Sequence, residues 1–427
     1  MLCRMMHCSK NLILNGNPEN TTNLPFLNLA LPVMDEPVFL PRLLDCISAQ
    51  SYRRFKLFVC VNQPELWWNN PAKITSCRHN ASSLTLLKEW KGCETVVIDH
   101  SSQGRGWTGK QHGVGYARKT LMDQINSTAQ PDEILISLDA DTVFSNDFFL
   151  SVAQNFNTHH DAVALAVPYF HKLGGDHLAN RAILRYEIYM RHYFLNLHRI
   201  VSPYAFTALG SAMALPVWAY RAIGGMTPKL SGEDFYFLQK LRKYGKVLLW
   251  NDEMVYPEAR FSDRVFFGTG PAMIKGAAGD WTSYPVYPVA LFDEIRETYL
   301  LLPKFYAESQ DTKIARFLTL IFKNTDPFQP LRSNHKDVDH FIRAFHEKFD
   351  GLRILQYLKA SNEKYQTTDE ENLQEFLQTV YPGDDLIKLK INWEKLSFAD
   401  FPMDDLAKIR EFLFQKEMEV RFTSTLA

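Results

Sequence analysis

Apolar and polar positions divide the chain into two regimes. Up to about residue 270, short apolar runs stop at polar turns and alternate with stretches whose apolar residues recur at helical spacing. Leu24–Val33 (LPFLNLALPV) predicts a first strand, with a turn at Met34–Glu36. Pro37 suits a helix start, and Phe39, Leu40, Leu43, Leu44 and Ile47 give Val38–Gln50 one apolar face. Lys56–Val61 and Glu94–Ile98 predict two further strands, ending near Asn62 and at Asp99. Between them Glu65–Trp90 has no clear period, apart from a short helix over Leu84–Trp90. Lys110–Asn126 is a helix with Val114, Ala117, Leu121 and Ile125 on one face and Arg118 and Lys119 beside it. Ile134–Leu138 and Ala162–Pro168 predict strands around a helix near Asp147–Asn155. Leu178–Ile200 predicts a long helix, Phe235–Tyr244 a shorter one closed by Gly245, and Lys246–Trp250 a short strand. From Leu291 onward the pattern is helical and amphipathic, over Leu291–Thr325, Val338–Ser361, Asp369–Val380 and Met403–Val420.

Strands alternating with helices predict a doubly wound α/β layer followed by a helical region. The expected organisation is an irregular extension over 1–23, an α/β domain over 24–290 and a helical region over 291–427. In such layers ligands bind at the carboxyl ends of the strands. The apolar run Ile134–Leu138 stops there at Asp139-Ala140-Asp141. Two carboxylates flanking a small residue can offer oxygen ligands to a hard divalent cation and acceptors to the hydroxyls of a polar ligand. A plain acidic turn has the same sequence, so the partners elsewhere in the chain matter. Asp234 follows Gly232-Glu233 at a predicted helix start, where Ser231 could cap the helix and Asp234 accept its amides. Amide donors would also keep that carboxylate ionised, as a general base requires. Gly104, Gly109 and Lys110 match part of a phosphate-binding loop, but Gln111 stands where a magnesium-binding hydroxyl belongs.

Composition narrows the classes. With 47 basic and 48 acidic residues the net charge is −1, which gives no electrostatic footprint for nucleic acid. The six cysteines (Cys3, Cys8, Cys46, Cys60, Cys77 and Cys93) lack metal-ligand spacing and suit a reducing, cytoplasmic compartment. The first 23 residues lack an apolar core of signal-peptide type. Ile200–Tyr220 is uncharged and long enough to span a bilayer, but Pro203 and Pro216 favour a buried loop and core segment. Contact with the cytoplasmic face of a membrane stays open.

The order of these parts resembles the family 2 glycosyltransferases, inverting enzymes with the GT-A fold. Leu29–Pro64 is similar to their opening, where a strand ends near Pro32 and a second strand leads to a nucleoside contact. Arg105–Lys119, ending in Gly113-Val114-Gly115-Tyr116-Ala117-Arg118, is similar to their glycine…alanine-arginine helix start. Leu138–Asp141 resembles their DxD element, and Gly210–Met226 with Gly232-Glu233-Asp234 their acceptor-side glycine stretch and Glu-Asp motif. Arg260–Gly270 is similar to the mobile basic loop of some members. The likeness covers about residues 25–270.

The resemblance implies transfer of a sugar from a nucleotide-diphosphate donor to a glycan, lipid-linked or small-molecule acceptor, with inversion. It assigns donor binding to Pro32, Asp35, Asn62, Asp99, Arg118, Asp139, Arg260 and Arg264. It implies Mg²⁺ or Mn²⁺ on Asp141 with Asp139, a general base at Asp234 and a supporting Glu233. One departure bears on the nucleotide: Asn62 stands where many members carry aspartates for the base. Three other readings fit the sheet: a sugar-nucleotide nucleotidyltransferase, a non-catalytic sugar-binding or scaffolding protein, and a metal-dependent hydrolase. The first lacks its glycine-rich basic loop at Val33–Pro37, and the last lacks a histidine-carboxylate cluster.

Overall fold

The computed structural model describes residues 23–229, 232–262, 268–383, 389–393 and 397–426. Arg264 and Ser231 lie outside the described residues. Nine strands occur among the described residues: β1 (Leu27–Val33), β2 (Phe55–Asn62), β3 (Thr95–His100), β4 (Ile134–Ser137), β5 (Thr142–Phe144), β6 (Ala162–Ala166), β7 (Met213–Pro216), β8 (Lys246–Leu248) and β9 (Val255–Pro257). Seven of them form one sheet in the order β3-β2-β1-β4-β7-β6-β8. β1 pairs in parallel with β2 and β4, while β7 runs antiparallel to both its neighbours. This is a mostly parallel central sheet with helices packed on it, the α/β layer expected from the sequence. β1 is buried along its whole length, as its unbroken apolar run LNLALPV requires of a strand covered on both faces.

Up to residue 270 the strands and helices read from apolar periodicity reappear with ends shifted by at most four residues; beyond it Leu291–Thr325 and Val338–Ser361 each hold two helices, and the last helix runs on to Leu426. The unreadable stretch between the second and third strands holds instead a long helix, Ile74–Glu89. Its buried face is Cys77, Asn80, Ser83 and Leu87, too polar to announce itself as a core stripe. Those polar groups are satisfied locally. Asn80 donates to Gln63 Oε1 at 2.8 Å, and Ser83 donates to the His79 carbonyl at 3.0 Å. The small-residue stretch after Ala205 supplies β7, which enters the sheet beside β4 (Ile136 opposite Ala214). A two-stranded ribbon, β5 with β9, was not apparent from the sequence because each strand is only three residues long.

Two compact units divide the chain. The sheet unit takes residues up to Ile183, Ala208–Ile274 and those from Arg421 on; the helical unit takes Leu184–Thr207 and Lys275–Val420. Residues 184–207 and 275–290, read from the sequence as part of the α/β domain, thus pack among helices. The reason is visible in the helix His177–Arg199. Arg191, fully buried, pairs with Glu187 at 3.0 Å and with Glu417, and Arg410 reaches Glu187 at 3.4 Å, all inside the helical unit. Buried charges of this kind are tolerated only when paired. Around them the unit buries an aromatic core, with Phe328 between Phe305 and Phe345 at ring distances of 4.4 and 5.5 Å. Among the described residues no helix is long and apolar enough to cross a membrane. Cys46, Cys60, Cys77 and Cys93 are free thiols, and burial pushes that of Cys60 up to about 12.

One close approach prepares the site. Gly115, in the first turn of the helix Val114–Thr128, lies under the backbone of Lys229, and a Cβ there would fall 2.1 Å from the Lys229 carbonyl oxygen. Gly115→Ala should therefore destabilise the sheet unit by about 1–3 kcal/mol through overpacking. Urea denaturation checks this, and an unchanged midpoint would contradict the close approach.

Candidate active site at the β1/β4 edge

Strand order reverses at β1, which has β2 on one side and β4 on the other. That reversal opens a crevice at the carboxyl ends of the two strands, the position where open α/β sheets bind ligands. The turn Met34–Glu36 leaves β1 there, and Leu138–Asp141 leaves β4.

Arg118 lies beneath this edge with its side chain 1% exposed. Its guanidinium donates to Asp139 Oδ1 at 2.8 Å, Glu233 Oε1 at 3.3 Å, the Gly210 carbonyl at 2.9 Å and the Ser137 hydroxyl. Ser137 in turn donates to the Gly210 carbonyl at 2.6 Å. Gly210 must be glycine for this packing, since a Cβ would lie 2.5 Å from Arg118 Nη2. The arginine read as a phosphate contact is thus an internal hub. Burial would lower its pKa, but the Asp139 and Glu233 carboxylates outweigh that and raise it.

Glu233 and Asp234 open the helix Glu233–Tyr244 after Gly232, whose φ of 71° lies in the left-handed region. Asp234 Oδ1 accepts from the Phe235 amide at 2.7 Å. The expectation that helix amides keep this carboxylate readily ionised does not hold. Burial, and then the like charge of Glu233, push Asp234 up to about 7 against the amide and Arg118. A carboxylate poised near neutrality suits proton abstraction better than one ionised far below it.

Asp141 belongs to a second cluster. Arg260 donates to Asp141 Oδ2 from Nη2 at 2.6 Å and from Nε at 3.1 Å, and Nη2 also reaches Glu36 Oε1 at 2.6 Å. Phe39 lies under the guanidinium at 4.2 Å from the ring centroid. The ribbon of β5 and β9 carries Arg260 to this place, and the Glu258 amide donates to the Asp141 carbonyl at 3.0 Å. Burial would lower the Arg260 pKa, but Asp141 and Glu36 raise it. Glu36, 4% exposed, is the member that was not chosen from sequence, where its neighbour Asp35 was preferred.

The remaining sequence candidates are spread along the first three strands. Pro32 is buried inside β1 opposite Cys60. Asp35, at φ 59°, turns its carboxylate to Ser76 at 2.7 Å and His79 at 2.6 Å on the neighbouring helix. Asn62 is 2% exposed and donates to the Val33 carbonyl at 3.0 Å; its Oδ1 finds no partner among the described residues. Asp99 accepts from the Ser101 and Ser102 amides, both at 2.9 Å. Burial would raise its pKa, but the serine hydrogen bonds outweigh that and lower it. Asp99 therefore shapes its own loop, and Asp35 ties the turn after β1 to the helix Ile74–Glu89. The glycine-rich loop is likewise occupied. Glu65 accepts from the Gly104 and Gly106 amides, both at 2.8 Å, which removes the donors a phosphate cradle would use.

For a divalent cation the donor set is Asp139 and Asp141, and among the described residues no group of three or more His, Cys, Asp or Glu could hold a metal. Asp139 faces Arg118 and Asp141 faces Arg260, so the two carboxylates do not converge on one point. A hard cation that takes one carboxylate and completes its shell from substrate phosphates fits this arrangement through Asp141. An all-protein cage does not.

With this geometry in hand, a family description becomes informative. Residues 134–275 match the family model "Glycosyl transferase family group 2". The matched span is a third of the chain, and over it the chain is similar to the family 2 glycosyltransferases. The match takes in Asp139, Asp141, Glu233, Asp234 and Arg260 together. No curated protein matches the chain. Among solved structures, S. aureus TarS 1–349 in complex with UDP-GlcNAc aligns at TM-score 0.41 and 12% identity, over 80% of this chain and 91% of that one. GalNAc-T7 with UDP, GalNAc and Mn²⁺ aligns at TM-score 0.35 and 13% identity, over 71% of this chain and 55% of that one.

Two outcomes follow for this cluster. Arg118→Met should cost about 3–5 kcal/mol in urea denaturation, because Asp139 and Glu233 lose the cation they share; a cost below about 1 kcal/mol would remove the hub role. Asp234 has its folded pKa raised from 3.8 to about 7, so its contribution to stability declines as pH rises through that window. Asp234→Asn should therefore gain stability over the parent between pH 4 and pH 7, with the gap level above. A gap independent of pH in thermal unfolding would contradict the raised pKa.

Proposed function

We propose that the sheet unit transfers a sugar from a nucleotide-diphosphate donor to an acceptor hydroxyl in one inverting displacement. The observation that carries this reading is the link through Arg118 between Asp139 at the exit of β4 and the Glu233–Asp234 helix start. It joins, at the switch-point edge, a carboxylate pair suited to the donor side and a carboxylate suited to proton abstraction.

In this reading Asp234 accepts the proton of the acceptor hydroxyl as its oxygen forms a bond to the anomeric carbon. The bond from that carbon to the phosphate oxygen breaks on the opposite side, and the nucleoside diphosphate leaves with the electron pair. Glu233, held by Arg118, positions Asp234 and keeps its pKa high. Asp141 would hold Mg²⁺ or Mn²⁺, which neutralises charge developing on the diphosphate. Asp139, held by Arg118, is placed for the donor's hydroxyls, and Arg260 for its phosphates. Asn62, with its Nδ2 committed to Val33, offers a fixed acceptor near the nucleoside end of the sheet edge. The acceptor is a glycan, a lipid-linked saccharide or a small molecule, and the setting a reducing, cytoplasmic one.

Asp234→Asn should leave donor affinity intact and lower turnover by about 10²–10⁴-fold, the usual worth of a general base. Unchanged turnover, measured with a panel of nucleotide sugars and acceptors, would sink the assignment. In the parent enzyme kcat/KM should fall as pH drops below about 7, where Asp234 becomes protonated. Asp141→Ala should weaken Mn²⁺-dependent donor binding, and a parent enzyme fully active in chelator would count against the cation.

A further inference from the structure

The contact between Arg260 and the acids at the crevice serves neither the sheet nor the helical core, so its role needs another account. The guanidinium joins the exits of the two strands that define the crevice, Glu36 after β1 and Asp141 after β4. Two of its nitrogens converge on one oxygen, Asp141 Oδ2, at 2.6 and 3.1 Å. A divalent cation bound to that oxygen would lie about 2.0–2.2 Å from it, within a few ångströms of the guanidinium. Two positive centres on one carboxylate oxygen repel strongly in a partly desolvated site.

Exposure separates this arginine from Arg118. The Arg260 side chain is 22% exposed and that of Asp141 21%, against 1% for Arg118. Arg260 can therefore be re-solvated or repaired by a ligand, whereas Arg118 is enclosed. Its attachment is also suited to a swing. Val255–Pro257 is fixed by pairing with β5, and the Glu258 amide is tied to the Asp141 carbonyl, so the side chain of Arg260 can move while its backbone anchor stays in place.

We infer that Arg260 is an exchangeable internal cation: it holds Asp141 and Glu36 in the ligand-free protein and must leave Asp141 before a divalent cation can bind there. This rests on the cation reading proposed above and adds an order to it. A diphosphate supplies acceptors for the displaced guanidinium, in bidentate geometry, at the moment when the divalent cation takes its carboxylate. Cation and nucleotide then bind cooperatively, because each removes an obstacle to the other. The free protein is protected from binding cations without substrate.

Titration of the full chain with Mn²⁺ alone, read by the electron paramagnetic resonance signal of free Mn²⁺, tests this without turnover. Arg260→Gln should bind Mn²⁺ at least about 10-fold more tightly than the parent in the absence of nucleotide, since close charge pairs couple by more than the 1.4 kcal/mol that this corresponds to. Arg260→Lys, which keeps the charge but loses the fork, should fall between them and guards against a folding artefact in the first variant. Repeating the titration with UDP or GDP should show strong mutual tightening in the parent and less in Arg260→Gln. Equal Mn²⁺ affinity of parent and Arg260→Gln, with nucleotide still promoting Mn²⁺ binding, would overturn the exchange and leave the cation reading standing. Absence of Mn²⁺ binding in every protein, with or without nucleotide, would overturn both.

Discussion

The sheet edge depends on one buried guanidinium. Arg118 is 1% exposed, and a charge so enclosed is tolerable only if its donors are nearly all met. They are met by groups far apart in sequence: Ser137 and Asp139 from the end of β4, the Gly210 carbonyl from the stretch before β7, and Glu233 from a helix start. Satisfying the arginine therefore fixes where those segments lie. The requirement extends to residues with no chemistry of their own, since Gly210 and Gly115 leave room for the arginine and for the Lys229 backbone.

The same enclosure sets the acid chemistry. Arg118 offers positive charge to Asp139 and Glu233 directly and to Asp234 only at longer range. Asp234 consequently feels burial and the neighbouring Glu233 more than it feels the arginine, and its pKa rises. Helix amides usually favour ionised acids at this position. Here one amide hydrogen bond, from Phe235, is too little to offset a like charge on the adjacent residue and the loss of water.

Much of the fold was legible because buried strands and amphipathic helices write their periods into the sequence. Where the inward face is polar the signal fails: Asn80 and Ser83 hide the helix Ile74–Glu89, and three-residue strands hide the β5–β9 ribbon. The site was legible as a set of residues and not as a set of partnerships. Asp139, Asp141, Glu233 and Asp234 could be picked from strand and helix ends, but nothing local says which arginine each acid meets. Arg118 reads as a donor contact because it lies beside the apolar face, in the place where the family resemblance puts one. Only the pairing across 21 and 115 residues makes it a core residue. Asp35 and Asp99 have partners of other kinds: Asp99 takes donors from the backbone just after it, and Asp35 from a helix more than forty residues away. The helix at residues 187 and 191 looks, in sequence, like a surface-charged one, and only its partners Arg410 and Glu417 make its charges buried.

Two arginines thus serve two acids at one strand end, and their different burial gives them different consequences. Arg118 is itself enclosed and cannot be released without stranding the buried Glu233, so it acts as permanent architecture. Arg260 meets the buried Glu36 and the partly exposed Asp141 and is stacked on Phe39, and in the inferred exchange its contact with Asp141 is the one traded for those of an incoming anion. A site of this kind separates two demands that conflict on a single residue. In the proposed transfer the base, Asp234, needs a neighbourhood that does not rearrange, because its pKa is set by burial and by Glu233. The donor side of that proposal needs a countercharge that can move, because the charge it would balance arrives with the donor and leaves with the diphosphate. Asp139 meets the enclosed Arg118 and Asp141, two residues on, meets the partly exposed Arg260, so a single turn after β4 ties both arginines to the crevice.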